Sequence, residues 1–324
     1  MKRNEQILFI TATRLGDAVL STGLLAHVVA QHPGADITVA CGPVPAPLFR
    51  AVPGLRKMIV MHKQSRGGHW ADMWRACIGT RWDIIIDLRR SFAARLLLGR
   101  RYELPREIAG EHKVLHYARA LGLDTAPSPT LWLDDQAQGH AAQYLPAGSK
   151  YIAVGPTANW IGKTWPVENF IQVISELTRP GAIFAGYRPV IFGAPGEEAQ
   201  IEKIKETFGD ACIYLVGKLD PLAAAAAIAR CDFFIGNDSG LMHTAAAVGV
   251  PTLGLFGPSH ADIYGPWGAL THFVRTEKTY DELVGHADYD YQNPGCLMES
   301  LSVSRVLQSA QSLWHKVQHA RQAA

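Results

Sequence analysis

Residues 233–247 read Phe233-Phe234-Ile235-Gly236-Asn237-Asp238-Ser239-Gly240-Leu241-Met242-His243-Thr244-Ala245-Ala246-Ala247. An apolar, aromatic run of strand length passes into a polar turn and then into small, helix-compatible residues. That order predicts a buried strand over 233–235 and a helix over 240–248. A strand apolar at successive positions is buried on both faces, as in a parallel sheet covered by helices on either side. Asp238 and Ser239 fall where the amides of a helix N-terminus point outward, a place suited to phosphate. His243 stands one helical turn further in. It is either a packed structural histidine or a neighbour of the same ligand, and the DSGxxH context favours the ligand.

The same alternation extends in both directions. Strands are predicted over 7–11, 37–40 and 84–87, with helices over 17–31, from 88 through 98, and over 112–121. Residues 124–150 form a seam containing Pro127, Pro129, Gly139, Pro146 and Gly148. The rhythm then restarts, with strands over 151–154, 190–192, 212–216 and 252–256. Helices follow over 166–177, 197–208 and 221–229. Two successive βαβα runs imply an α/β protein of two Rossmann-like, doubly wound domains. Their ligand crevices lie at the carboxyl ends of the strands. The expected division is 1–147, 148–300, and a C-terminal helix over 301–324. Leu301, Val303, Val306, Leu307, Ala310, Leu313, Trp314 and Val317 give that last segment an amphipathic spacing.

Composition narrows the function classes. The chain has 324 residues, of which 48% are apolar and 19% charged, with a net charge of +2. That is a globular balance with length for two cores. A general nucleic-acid binder would carry a strongly basic domain, so no nucleic-acid partner is expected. Five widely spaced cysteines without a CxxC pair suit a reducing compartment. Met1-Lys2-Arg3 precedes only the short apolar run 7–10, too short for a signal segment. The longest apolar candidate for a membrane span, 222–235, is broken by Arg230 and Asp232. The expected location is cytoplasmic, with membrane contact at most peripheral.

Chemistry should sit in the loops after strands. In Arg14-Leu15-Gly16-Asp17, Asp17 reads either as a helix N-cap or as a carboxylate able to take a proton from a hydroxyl. The loop 155–166 contains Gly162-Lys163-Thr164, which lacks the Walker spacing because Thr157 stands where a glycine is required. Lys163 and neighbouring hydroxyls ahead of a helix still make an anion site, unless Lys163 is merely an exposed loop residue. After the strand 190–192, Glu197 or Glu198 could hold ribose hydroxyls or simply favour a helix start. No G-x-G-x-x-G or G-x-S-x-G occurs, which removes the nicotinamide and hydrolase fingerprints. Asp288-Tyr289-Asp290 is a DxD triplet, but it lies in a polar loop rather than after a strand. No His/Cys cluster has metal-ligand spacing, so no metal is expected. Arg89, Arg90, Arg95, Arg100, Arg101 and Arg106 crowd one stretch with only Glu103 and Glu107 as nearby acids. They form a solvated helix face, or contact the phosphates of a lipid-linked acceptor or an anionic leaflet.

Taken together, these residues make the chain similar to the family 9 glycosyltransferases, the ADP-heptose:lipopolysaccharide heptosyltransferases. The resemblance rests on Arg14-Leu15-Gly16-Asp17, Lys163-Thr164-Trp165-Pro166, Gly193-Ala194 with Glu197, and above all Asp238-Ser239-Gly240-Leu241-Met242-His243. It departs from the family at Gly155-Pro156, where the order is usually reversed, and at Thr164, where a basic residue is common. The resemblance implies a GT-B fold with the two domains facing each other across a cleft, and a last helix that returns to the first domain. It implies that Asp17 is the general base in an acceptor-binding domain, with Arg14, Arg89 and Arg90 as acceptor or membrane contacts. Lys163 would meet the donor phosphates, near Thr157 and Asn159, and support departure of the diphosphate. Glu197 would hold the ribose and the backbone at Leu219 the base. Asp238 would bind the donor sugar, with Ser239, Gly240 and His243 lining the diphosphate. The expected reaction is a metal-independent, inverting transfer from an ADP-sugar co-substrate to a lipid-linked or core-oligosaccharide hydroxyl, with no cofactor. The location would be the inner face of the inner membrane. The alternatives are another nucleotide-sugar donor or acceptor, or a sugar-nucleotide epimerase on the same fold.

Overall fold

The computed structural model describes residues 3–285, 289–290 and 295–323. The chain divides into two compact units, Met1–Asp134 and Asp135–Ala324.

The first unit contains β1 (Gln6–Ile10), α1 (Leu15–Gln31), β2 (Asp36–Cys41), β3 (Leu55–Val60) and α2 (Gly68–Cys77). It continues with β4 (Ile84–Asp87), α3 (Phe92–Arg95), β5 (Arg100–Glu103) and α4 (Lys113–Arg119). Its sheet has the order β3-β2-β1-β4-β5, and every pairing is parallel. β1 is central because Ile7, Leu8, Phe9 and Ile10 are fully buried. The strand order reverses between β1 and β4, and such a switch point leaves a crevice at the strands' carboxyl ends. Arg14 and Asp17 follow β1; Arg89 and Arg90 follow β4.

The second unit begins with α5 (Asp135–Tyr144), then β6 (Tyr151–Gly155), α6 (Val167–Thr178), β7 (Arg188–Ile191) and α7 (Glu202–Phe208). β8 (Ile213–Tyr214), α8 (Pro221–Ile228), β9 (Phe233–Asn237), α9 (Gly240–Ala247) and β10 (Thr252–Phe256) come next. α10 (Ala261–Tyr264), β11 (Thr271–Arg275), α11 (Tyr280–Val284) and α12 (Val303–Ala323) complete it. The sheet order is β11-β10-β9-β6-β7-β8, again wholly parallel. Its switch point lies between β6 and β9. There Gly155 and Gly236 stand opposite each other in register. A Cβ on Gly236 would lie 2.6 Å from the Gly155 carbonyl oxygen, so the close approach of these strands requires glycine.

Three expectations change. The strands β3, β5 and β11 carry charged or polar residues among their apolar ones and were invisible to an apolar-run reading; β3, β5 and β11 are sheet edges, where charge discourages further pairing. The helix expected through Leu98 stops after one turn at Arg95, because the chain enters β5. The division falls at 134/135 rather than 147/148. α5 buries Ala137 and Ala141 and packs on α8, whose residues Leu222–Ile228 are all buried. Within the second unit, α12 joins the core. It packs on α6, β10 and β11, burying Val306, Ala310, Leu313, Trp314 and Val317. The Trp314 ring lies edge-on to Phe184 and Phe233, with centroids 4.8 and 6.2 Å away, a favourable aromatic geometry. Among the described residues no helix is long and apolar enough to cross a membrane.

Candidate active site

The second unit gathers polar side chains at the carboxyl ends of β6, β7, β9 and β10. Asn237 ends β9 and is fully buried. Its Oδ1 accepts from the Trp165 backbone N–H at 3.2 Å, and its Nδ2 donates to the Pro156 carbonyl at 2.8 Å. One amide thus fixes both ends of the loop that carries Lys163. Satisfying both groups is what makes a buried amide tolerable. The Lys163 side chain leaves a 3-10 turn over Ile161–Lys163 and donates to Asp238 Oδ2 at 2.5 Å. The same oxygen accepts from Ser259 Oγ at 2.7 Å. Asp238 is 6% exposed and the Lys163 side chain 27%, so the ion pair sits at the border of protein and solvent. Two of the three ammonium donors of a lysine remain for other partners when one binds a carboxylate.

Ser239 occupies the N-cap position of α9 in extended conformation, yet its side chain makes no cap bond. Its Oγ is buried and has no hydrogen-bond partner among the described residues. His243 is buried on the same helix. The loops after β6 and β9 therefore bring an ammonium group, a spare hydroxyl and a helix N-terminus together in the fold. Such a group suits an anion.

A second cluster ties β6 to β7. The buried Thr157 hydroxyl donates to Glu197 Oε2 at 2.5 Å, and the Ala194 N–H donates to the same oxygen at 2.8 Å. Glu197 does not cap the turn that follows it, so its carboxylate serves the loop rather than the helix α7, which begins only at Glu202. Asn159 is exposed, and Leu219 is half-buried in the turn before α8. That turn is fixed by Asp220, which accepts from the Leu222 and Ala223 amides. Asn237 and Ser259 escaped the sequence reading. Asn237 was quoted within the strand-to-turn run, and a polar residue prolonging an apolar strand was its signal. Ser259 follows Gly257-Pro258, a turn signal directly after a strand.

In the first unit, Asp17 occupies the first turn of α1, which begins at Leu15, and Arg14 is the N-cap. The N-cap reading of Asp17 is thereby replaced: the helix starts earlier than its apolar pattern suggested. Asp17 is half-buried and Arg14 exposed. Arg89 and Arg90 are exposed in the loop after β4. Asp87 orders that loop, accepting from the Arg89 N–H at 2.8 Å, the Ser91 N–H at 2.6 Å and Ser91 Oγ at 2.8 Å. Burial raises the Asp87 carboxyl above the usual carboxylate range, and these donors partly offset it. Arg90 adopts φ 51°, a left-handed conformation uncommon for a non-glycine residue. Of the DxD triplet, Asp288 lies outside the described residues.

Comparison with known proteins bears on the fold and the family. The chain is 26% identical over 309 residues to the lipooligosaccharide heptosyltransferase 2 of Haemophilus influenzae, covering 83% of this chain and 88% of that protein. The crystal structure of a family 9 glycosyl transferase from Veillonella parvula superposes with a TM-score of 0.78 at 23% identity, covering 98% of this chain and 99% of that one. The structure of the Escherichia coli ADP-heptose LPS heptosyltransferase II does so with a TM-score of 0.74 at 22% identity, covering 97% and 99%. These likenesses show the two-domain GT-B fold. The model of glycosyltransferase family 9 (heptosyltransferase) matches residues 89–284. The chain belongs to glycosyltransferase family 9.

Proposed function

We propose that this glycosyltransferase moves a heptose from an ADP-sugar to a hydroxyl of a lipopolysaccharide-core or related acceptor, with inversion at the anomeric carbon. The observation that carries the reading is the convergence of Lys163, Asp238 and Ser259 beside the N-terminus of α9. A sugar nucleotide brings a diphosphate and a polyhydroxylated ring to one place. The cluster has a cation and a helix terminus for the first and a carboxylate for the second. The matching relatives named for heptosyl transfer, and the ADP-heptose in one of their names, support the choice of donor.

In this reaction the acceptor oxygen bonds to the anomeric carbon as the bond from that carbon to the diphosphate breaks. The acceptor proton passes to Asp17, and ADP leaves with the bonding electron pair. Charge grows on the leaving diphosphate, where Lys163 and the α9 amides stabilise it. Lys163 exchanges part of its contact with Asp238 for phosphate, and Asp238 turns to the sugar hydroxyls. Thr157 and Glu197 present one carboxylate to the ribose. No metal or cofactor has a role in this scheme.

Calorimetric binding of ADP, UDP and GDP, each with and without Mg²⁺, tests the donor site. The expected result is a metal-independent preference for ADP. Lys163→Ala should weaken ADP binding by about 10- to 100-fold, the range for losing a charged hydrogen bond. Preference for UDP or GDP would replace the donor. Unaltered ADP binding by the variant would remove Lys163 from the site.

A further inference from the structure

Ser259 meets the donor cluster from the loop after β10, and no step of the transfer scheme uses it. The serine is 8% exposed. Its loop is fixed without help from Lys163. The Ser259 N–H donates to the Gly257 carbonyl at 2.8 Å, closing a three-residue turn over Pro258, whose ring sets the central φ. A Cβ on Gly257 would collide with the sulfur of Met298, which is fully buried, so this loop packs directly on the core of the second unit. From that fixed turn the Ser259 hydroxyl donates to Asp238 Oδ2 at 2.7 Å.

Asp238 is held on one oxygen only. Lys163 Nζ and Ser259 Oγ both donate to Oδ2, and among the described residues no group donates to Oδ1. Oδ1 is thereby left for an incoming hydroxyl. The two donors on Oδ2 are unequal. A lysine ammonium has three protons on a flexible stem, so it can divide itself between a carboxylate and a phosphate. A serine hydroxyl has one proton, and here a fixed turn aims it. When phosphate draws on Lys163, Ser259 is the donor that stays with the carboxylate. A carboxylate as buried as Asp238, left with neither partner, would be costly. The competing role is a plain brace, because the same bond ties the turn after β10 to the turn after β9. A brace serves ADP and an ADP-sugar alike, since both need the α9 terminus. A role through Asp238 concerns the sugar alone.

We propose that Ser259 is a positioning residue for the donor sugar: it holds Asp238 by Oδ2 so that Oδ1 meets the sugar hydroxyls while Lys163 turns to the diphosphate. The role rests on the donor-site functions proposed for Lys163 and Asp238. The test is calorimetric binding of ADP and of ADP-heptose, separately and without acceptor, to wild type, S259A, D238A and S259A/D238A. The ratio of the ADP-heptose dissociation constant to that of ADP isolates the sugar. S259A should raise this ratio about tenfold, the scale of one hydrogen bond to a charged group, and leave ADP binding at the wild-type value. Retained ADP binding also shows that the variant is folded. D238A should raise the ratio at least as much. In the D238A background S259A should change nothing further, because the carboxylate it positions is gone. Equal weakening of both ligands by S259A would make Ser259 a loop brace and overturn the proposal. An additive loss in the double variant would overturn it too. A ratio that D238A raises and S259A leaves alone takes the role from Ser259 and keeps Asp238. A ratio that D238A leaves alone overturns the sugar-binding function of Asp238, and the role of Ser259 with it.

Discussion

Asp17 shows how one residue's meaning depends on a shift of two positions. As an N-cap it would have been committed to backbone amides. Arg14 holds that position instead, and Asp17 stands in the first helical turn, where the helix amides favour a negative charge. This is compatible with the proposed general base. Asp17→Asn keeps the shape and removes the proton acceptor. It should lower kcat by about 10²–10⁴-fold, the usual range for general-base action. Titration with ADP should be unchanged, since no residue of the nucleotide cluster is altered. Normal turnover would take the role from Asp17. Asn237 teaches a different lesson. Its identity was in plain view, but its task of joining Trp165 to Pro156 needs two loops from distant parts of the chain.

At the scale of elements, the regular rhythm was legible and the edges were not. Central strands such as β1, β6 and β9 announce themselves because burial on both faces demands unbroken apolar residues. β5, reading Arg-Arg-Tyr-Glu, has no such demand, and its pairing is set by the neighbouring β4. The amphipathic stripe of α12 was equally clear, but a stripe does not say which surface covers it. The covering surface is α6 with β10 and β11, and the aromatic cluster around Phe184 gives Trp314 its place. Trp314→Ala should cost the second unit about 3–5 kcal/mol, the range for emptying a large aromatic site. Chemical denaturation followed by ADP binding would measure it. A change below 1 kcal/mol would mean the helix is dispensable to that core.

Across the whole molecule, the cysteines tie the cores to pH. Burial raises the Cys41 thiol to about 12 and the Cys77 and Cys212 thiols to about 11, from 9. Their folded pKa values lie above the unfolded ones, so the folded state keeps protons that the unfolded chain releases. The stability they contribute is full below pH 9 and is lost as pH rises from 9 towards 11 and 12. Each thiol should steepen the alkaline loss by up to about 1.4 kcal/mol per pH unit. Melting curves from pH 8 to 11 should show the fall, and Cys41→Ala should make it shallower. An unchanged slope would mean that the Cys41 thiol titrates alike in both states. The sequence by itself determined the two α/β repeats, the loops that hold the polar residues and the family resemblance. These follow from local apolar patterning and from short motifs, in which neighbouring residues share one task. Only the tertiary structure decided that Lys163 meets Asp238 and Ser259, that Glu197 answers Thr157, and that α5 and α12 belong to the second unit. Those pairings join residues tens of positions apart, and their geometry exists only once parallel strands have brought the loops to one end of a sheet.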